Sequence, residues 1–289
     1  MSWRTVVISK RCKLDLSMGY MVVRGEETKR VFVDEIASVI IEDPAVSMTG
    51  CLLCELAKQK VRIIFCDEKR SPYAELQPYY GSYDCARKIK VQSSWSEGQK
   101  YTVWTEIVAE KIRNQSTLLI NTGHEEEGAM LSEYVSEMQY ADESNREGHA
   151  AKVYFNALFG KDFSRGQENP INASLNYGYG LLLSAFNREV TLNGYLTQLG
   201  LFHDNMFNPY NLSCDLMEPF RIIIDKEVLE MSPKEFGKDE KYRLISLLHS
   251  SLYISGNDQT VLNAIKIYTR SVFDAINDSD VSEIKFPCL

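Results

Sequence analysis

The chain has 289 residues, of which 44% are hydrophobic and 25% are charged, and its formal net charge is −8. This length and composition are typical of a globular protein with one large or two smaller domains. No stretch approaches the roughly 18 apolar residues of a membrane helix, and residues 1–5 lack the apolar core of a signal peptide. We therefore expect a cytoplasmic protein with no membrane partner.

The charge is unevenly distributed along the chain. Residues 1–100 carry 16 Lys and Arg against 13 Asp and Glu, whereas the remaining residues carry 16 against 27. An acidic surface repels a phosphate backbone unless a bound divalent cation reverses the local field. The acidic second part therefore fits a metal-dependent nuclease better than a passive DNA clamp.

Seven cysteines, an odd number, indicate a reducing compartment in which thiols act as small apolar side chains. Cys51 and Cys54 have the spacing of half a zinc site or of a redox pair. A zinc site of this kind needs four ligands, and no second pair follows at the usual interval. We expect these thiols to be buried and structural.

The first 70 residues have the pattern of a small β-rich domain with one helix. Runs of β-branched residues predict strands at 5–8, 20–24, 29–33, 36–41 and 61–65. The turn-like segment at 25–27 indicates a hairpin between the second and third strands. Ser47 is a candidate N-cap for a helix that runs through Ala57.

Prolines, a glycine and tyrosines between residues 70 and 85 predict a linker. We place a β-rich domain at 1–75, the linker at 76–90 and an α-helical domain at 91–289. Apolar residues recur there at helical intervals, beginning with a helix at 101–120. Further helices are predicted at 126–140, 145–159, 170–187, 190–201, 214–230, 239–252 and 257–276. The predicted fold class is α+β, a small N-terminal β-rich domain followed by a larger all-α-helical one.

Among the four histidines, His203 has the most informative surroundings. It ends an apolar run and precedes Asp215 and Glu218, which are three residues apart and share a helix face. An imidazole and carboxylates of this kind are able to converge on one metal ion. The Asp-x-x-Glu spacing is also that of a capping box, which these residues taken alone favour. Pro219 instead indicates that the helix continues through this point with a kink.

Glu147 is the second candidate. It lies at the start of a predicted helix, and the small residues that follow leave space beside its carboxylate. An acid at a helix start is also explained by the helix dipole alone. His149, two residues further on, points to another side of a helix and is a poor partner for Glu147.

Four fragments in chain order resemble the CRISPR adaptation integrase family. They are Glu147-Gly-x-Ala-Ala-x-x-Tyr-Phe, Pro170-x-Asn172-Ala173-x-Leu175-x-Tyr177-Gly178-Tyr179, Leu199-Gly-x-x-His203 and Asp215-Leu-Met-Glu-Pro-Phe-Arg221. The segment from Trp104 to Gln115 is similar to the first long helix of that family. The order of a β-rich start and a helical body matches the family's architecture. The compact first domain is most similar to the type II branch, which accompanies a single-protein, RNA-guided effector nuclease.

The resemblance implies that Glu147, His203 and Glu218 are catalytic ligands of Mg²⁺ or Mn²⁺, with Asp215 as a supporting acid. It also implies a reaction, in which the 3′-hydroxyl of a short foreign DNA duplex attacks a phosphodiester of a CRISPR repeat array. Two alternatives remain open from the residues. One is a metal-dependent nuclease that cuts branched DNA without joining it, and the other is a non-catalytic DNA-binding scaffold.

The same resemblance implies partners. It implies double-stranded DNA, a homodimer formed through the β-rich domain and a small ferredoxin-like adaptation protein, and it leaves open contacts with other adaptation proteins and the effector nuclease. Arg146, Asn172, Tyr177 and Arg221 are candidate DNA contacts. For the two arginines the alternative is a salt bridge to a ligand carboxylate, and for the other two it is core packing.

Overall fold

The computed structural model describes residues 4–76 and 82–288, and the chain divides into two compact units, Met1–Gly81 and Ser82–Leu289. The predicted linker, 76–90, differs from the structure in its second part. Residues 77–81 lie outside the described residues, whereas a helix begins at Cys85. The basic residues in that part of the chain are good helix formers. The prolines and the glycine just before them led to the prediction of a linker instead.

The described residues of the N-terminal unit form two four-stranded sheets, one α-helix and a short 3-10 turn. The first sheet has the order β1 (Arg4–Ile8), β5 (Ile36–Ile41), β7 (Arg62–Cys66) and β8 (Pro72–Leu76). The second has the order β4 (Thr28–Phe32), β3 (Tyr20–Arg24), β2 (Lys13–Ser17) and β6 (Ser47–Met48). In the first sheet β5 pairs in parallel with β1 and β7, and its nearly continuous apolar run is typical of a strand buried on both faces. The predicted hairpin is confirmed, because β3 and β4 pair antiparallel around residues 25–27.

Helix α1 (Gly50–Lys58) buries Leu52 and Leu56, which are one turn apart. Thr49 caps it by accepting a hydrogen bond from the backbone N–H of Leu52 at 3.4 Å. The predicted cap, Ser47, is wrong, because that residue belongs to β6.

The expectation of buried thiols is wrong for Cys51 and Cys54. Both are exposed, because they lie away from the face of α1 that Leu52 and Leu56 bury. Cys66, at the end of β7, is buried as expected. All seven cysteines are free thiols.

The C-terminal unit is mainly helical. Its helices are α2 (Cys85–Ser93), α3 (Glu97–Asn121), α4 (Glu125–Ser136), α5 (Arg146–Phe159), α6 (Pro170–Leu192), α7 (Asn211–Met217), α8 (Arg221–Met231), α9 (Lys238–Leu247) and α10 (Val261–Asp278). A capping box of Ser96 and Gln99 starts α3, and Pro170 occupies the first turn of α6, where a missing N–H costs nothing. Within the described part of the chain, no helix combines the length and apolar character that crossing a bilayer requires.

The sequence pattern predicted an all-helical C-terminal unit, and this prediction is wrong in one place. Strands β9 (Ser251–Ile254) and β10 (Asn257–Thr260) form an antiparallel hairpin in place of parts of the predicted helices 239–252 and 257–276. Its turn residues, Ser255 and Gly256, both have positive φ, as a two-residue hairpin turn requires. The predicted helix at 190–201 is also wrong, because α6 ends at Leu192 and an irregular segment follows. The α+β fold class is confirmed.

Candidate active site

The carboxylates of Glu147 and Glu218 meet at one ammonium group. The Nζ atom of Lys111, on α3, lies 2.6 Å from Glu147 Oε1 and 2.5 Å from Glu218 Oε2. The second oxygen of Glu218, Oε1, lies 2.8 Å from the guanidinium of Arg221. The side chain of Glu218 is 3% exposed, so its ion pairs are shielded from water. The structure therefore brings together two of the three predicted ligands.

The position of Glu218 follows from the proline beside it. A 3-10 turn, Glu218–Phe220, joins α7 to α8, so the chain continues with a kink, as Pro219 predicted. The carbonyl oxygen of Pro219 accepts a hydrogen bond from Asn114 Nδ2 at 3.4 Å, which ties the turn to α3. The capping-box alternative is wrong, because Asp215 lies inside α7 and Tyr210 occupies the N-cap position.

The imidazole of His203 is held by the buried carboxylate of Asp215. This carboxylate accepts hydrogen bonds from the backbone N–H groups of Leu201 (2.6 Å), Phe202 (3.1 Å) and His203 (3.2 Å). Its Oδ1 also lies 2.5 Å from His203 Nδ1. Because Nδ1 is engaged in this way, Nε2 is the ring nitrogen that remains for a ligand.

Both glutamates influence the imidazole of His203 electrostatically. The hydrogen bond to Asp215 raises the pKa of His203 above its ordinary value, and the negative charges of Glu218 and Glu147 act in the same direction. The imidazole therefore lies within the electric field of both carboxylates. The charges of all three predicted ligands therefore influence one another.

The glycine of the Leu199-Gly-x-x-His203 motif has a steric explanation. A Cβ atom at Gly200 would lie 2.3 Å from the carbonyl oxygen of His203 and 2.8 Å from Asp215 Oδ2. Only glycine allows the segment to fold this closely around the carboxylate. Trp104 stacks on Phe202, with ring centroids 4.8 Å apart, and meets His203 edge-on at 5.6 Å. The imidazole is thus fixed by packing as well as by hydrogen bonding.

The chemistry of Glu147, His203 and Glu218 suits a divalent cation such as Mg²⁺ or Mn²⁺. Glu218 Oε2 is buried and already faces a cation, the ammonium of Lys111, at 2.5 Å. Histidine ligands of metals usually donate their other ring nitrogen to a carboxylate, as His203 does to Asp215. In residues 4–76 and 82–288, however, no three His, Cys, Asp or Glu side chains are close enough to hold an ion. The ammonium of Lys111 lies between the two carboxylates instead.

Comparison with known proteins assigns the chain to a family. Residues 5–246 match the family described as CRISPR associated protein Cas1. The chain belongs to the Cas1 family. A CRISPR-associated endonuclease Cas1 of Neisseria meningitidis serogroup C (strain 8013) is 34% identical over 293 residues, which cover 99% of this chain and 96% of the relative.

Solved structures show the same fold at low sequence identity. A casposase bound to an integration product has a TM-score of 0.76 and 16% identity, and the match covers 98% of this chain and 93% of the casposase. A Cas6-RT-Cas1–Cas2 complex contains a chain with a TM-score of 0.76 and 16% identity. That match covers 97% of this chain but 36% of the longer one.

Lys111 is the residue of this Cas1-family site that the sequence pattern did not reveal. It lies on α3 among buried side chains that include Ile107 and Ile112, and its own side chain is 11% exposed. Burial alone would lower the pKa of the ammonium, but Glu218 and Glu147 raise it above its ordinary value. The position of Lys111 on the apolar face of the predicted helix could have indicated it, because a buried ammonium requires charged partners.

The two arginines proposed as DNA contacts have different partners. Arg221 pairs with Glu218 and lies 4.8 Å above the ring of Tyr179. The salt-bridge alternative therefore describes Arg221. Arg146 instead pairs with Glu137 at 2.7 Å and covers the ring of Tyr134, so its partner is not one of the predicted ligands.

Asn172 and Tyr177, also proposed as DNA contacts, are 2% and 1% exposed. The side-chain amide of Asn172 donates to the carbonyl oxygens of Ser164 at 2.8 Å and Gln167 at 2.9 Å, which closes the loop before α6. The ring of Tyr177 packs on Phe236 with centroids 5.4 Å apart. The alternative of core packing therefore describes both side chains, since neither presents appreciable surface to DNA.

A further buried carboxyl lies next to the cluster of this Cas1-family chain. Asp225, on α8, accepts hydrogen bonds from the hydroxyls of Tyr154, at 3.1 Å, and Tyr179. The ring of Tyr179 also contacts Arg221, which links Asp225 to the partner of Glu218. Burial raises the pKa of Asp225 to about 6, although the two hydroxyls and Arg221 oppose the shift.

We expect Asp225 to make the protein less stable as the pH rises from about 4 to about 6. Its pKa is about 6 in the folded chain against an ordinary value of 3.8. The folded state therefore keeps a proton that the unfolded state has lost, so deprotonation favours unfolding in this window by up to about 3 kcal/mol. Urea unfolding at a series of pH values measures the slope. Asp225→Asn should remove it, and an equal slope in both chains would contradict the assignment.

Proposed function

We propose that this Cas1-family chain is a metal-dependent DNA endonuclease and integrase of CRISPR adaptation. The observation that carries the proposal is the meeting of Glu147 and Glu218 at one point, with the imidazole of His203, held by Asp215, in the electric field of both carboxylates. The Neisseria relative is named an endonuclease, and the casposase of the same fold is bound to an integration product. Neisseria meningitidis has a type II system, which supports the type II branch.

The proposed reaction exchanges one phosphodiester for another, so it needs no external energy source. Bound by Glu147, His203 and Glu218, Mg²⁺ or Mn²⁺ would polarise the scissile phosphate and lower the pKa of the attacking 3′-hydroxyl. Asp215 holds His203 Nδ1, so the other ring nitrogen, Nε2, points away from Asp215. Arg221 neutralises part of the charge of Glu218 and fixes its second oxygen.

The proposal includes partners. We propose double-stranded DNA as substrate, a homodimer formed through the N-terminal unit and assembly with a small ferredoxin-like adaptation protein. The common fold with a chain of a Cas6-RT-Cas1–Cas2 complex supports assembly with an adaptation partner. A nuclease that cuts branched DNA would use the same ligands with water as nucleophile, so the two activities are distinguished by their products.

The decisive experiment follows a labelled short duplex into a supercoiled plasmid that carries a CRISPR repeat, in the presence of Mn²⁺ and the adaptation partner. We expect covalent incorporation of the label. We expect Glu147→Gln to reduce incorporation by more than about 100-fold, because loss of a ligand should exceed the 10–100-fold effect of losing a residue that supports one. Glu133→Gln, which changes an exposed acid on α4, is the matched control and should retain full activity.

The products decide between the alternatives. Nicked plasmid without incorporated label would indicate the branched-DNA nuclease. DNA binding without either product, unchanged by Glu147→Gln, would indicate a scaffold. Full incorporation by Glu147→Gln would show that Glu147 is not a catalytic ligand.

A further inference from the structure

The two acidic ligands proposed above already have a cation of the protein between them. Lys111 Nζ contacts one oxygen of each carboxylate, at 2.6 Å and 2.5 Å, and Arg221 contacts the remaining oxygen of Glu218. The formal charges of this group therefore balance, with two carboxylates against two cations. A buried group of charges is tolerated only when it is paired in this way.

We infer that Lys111 is the resident counter-ion of the proposed ligands and that a divalent cation has to displace it. The inference rests on the proposed function. A metal ion coordinated by Glu147 and Glu218 needs the positions in front of the oxygens that the ammonium contacts. Two cations in contact with the same pair of oxygens would also repel each other strongly in a buried site. Only ionic contacts change, since Lys111 keeps its proton and moves away from the carboxylates.

The geometry of the two contacts fits an exchangeable ion pair. Lys111 Nζ donates a hydrogen bond to Glu147 Oε1 at 2.6 Å and lies 2.5 Å from Glu218 Oε2. Both contacts are ionic, so a divalent cation that binds the same oxygens can replace them. The four-carbon stem of lysine is flexible and its charge is compact, so the ammonium can move without a change in α3.

The exchange changes the charge of the site. Lys111 and Arg221 balance the carboxylates of Glu147 and Glu218, and replacing the ammonium by a divalent cation leaves the group with one net positive charge. An excess of positive charge attracts a phosphodiester backbone, which is the proposed substrate. Lys111 thus acts as a positioning residue that keeps the ligands together and makes attraction of DNA to the site depend on metal loading.

Displacement has a measurable cost in metal affinity. The apparent dissociation constant increases when only a fraction of the protein has the carboxylates released from the ammonium. Lys111→Met removes the competitor and should bind Mn²⁺ more tightly, by about fivefold or more, as expected for a typical coupling between two ligands. A purely structural lysine predicts the opposite, because its loss would disturb the ligands and weaken Mn²⁺ binding.

The experiment measures Mn²⁺ affinity by electron paramagnetic resonance of the free ion, together with the thermal midpoint with and without Mn²⁺. We expect Lys111→Met to have a lower midpoint than the wild type without Mn²⁺, a larger rise on adding it and a lower dissociation constant. Lys266→Met, which changes an exposed lysine on α10, is the matched control and should behave as the wild type. Lys111→Gln is the second variant, for use where Lys111→Met does not fold.

Equal or weaker Mn²⁺ binding by Lys111→Met overturns the inference. The proposed function stands in that case, provided that the wild type binds Mn²⁺ and Glu218→Gln does not. A wild type that fails to bind Mn²⁺ removes the proposed metal centre and the inference with it. Failure of both Lys111 variants to fold even with Mn²⁺ would make Lys111 a structural residue, which also overturns the inference.

Discussion

Glu218→Ala is expected to lower the free energy of unfolding by about 3–5 kcal/mol and to abolish DNA joining. The substitution leaves the ammonium of Lys111 and the guanidinium of Arg221 without the carboxylate that lies 2.5 Å and 2.8 Å from them. An uncompensated buried charge is far more destabilising than a lost helix cap, which costs about 1 kcal/mol. Chemical denaturation therefore separates the ion-pair role of Glu218 from a capping role.

A second substitution tests the cause of that loss. In the double variant Glu218→Ala, Lys111→Met, one of the stranded cations is gone, so part of the stability should return while joining remains absent. Glu230→Ala, which changes an exposed acid on α8, is the matched control and should shift stability by no more than about 0.5 kcal/mol. A loss near 1 kcal/mol for Glu218→Ala with joining intact would contradict this account of the site.

Asp215→Ala is expected to destabilise the protein by several kcal/mol and to impair the His203 side of the site. The backbone N–H groups of Leu201, Phe202 and His203 would lose their common acceptor, and each unsatisfied buried donor costs about 1–3 kcal/mol. The imidazole would also lose its Nδ1 partner. We expect Mn²⁺ affinity or joining to fall by about 10–100-fold, as for other residues that orient a metal ligand.

The size and the negative charge of Asp215 can be tested separately. Asp215→Asn retains one acceptor oxygen for the backbone donors, so it should fold better than Asp215→Ala while still losing the charge that favours the imidazolium form of His203. Asp204→Ala, an exposed acid next to His203, is the matched control. Unfolding free energies that are the same for Asp215→Ala and Asp204→Ala would contradict the role of the buried carboxylate.

Elements with a strong local pattern were predictable from the sequence. The β-branched run that forms β5 and the apolar spacing of α3 can each be recognised from neighbouring residues alone. The hairpin of β9 and β10 was missed, because its strands have four residues each and lie directly between two helices. The Ser255-Gly256 pair was the available turn signal, but the helical pattern on either side outweighed it.

The site was predictable only in part, because its contacts join distant segments. Glu147, His203 and Glu218 were identified by their resemblance to a family, whereas local spacing favoured a capping box for Asp215. That spacing contains no information about the backbone groups that Asp215 accepts from, which lie 12 to 14 residues earlier in the chain. Lys111 was missed for the same reason, since it lies 36 residues from Glu147 and further still from Glu218.

The stacking of Trp104 on Phe202 gives this chain an optical reporter at the imidazole. The indole is completely buried and meets the ring of His203 edge-on, with centroids 5.6 Å apart. The emission of an indole responds to a positive charge brought this close to its ring. In a variant that retains Trp104 as its sole tryptophan, the binding of a cation to His203 can be followed by intrinsic fluorescence, in real time and without a label.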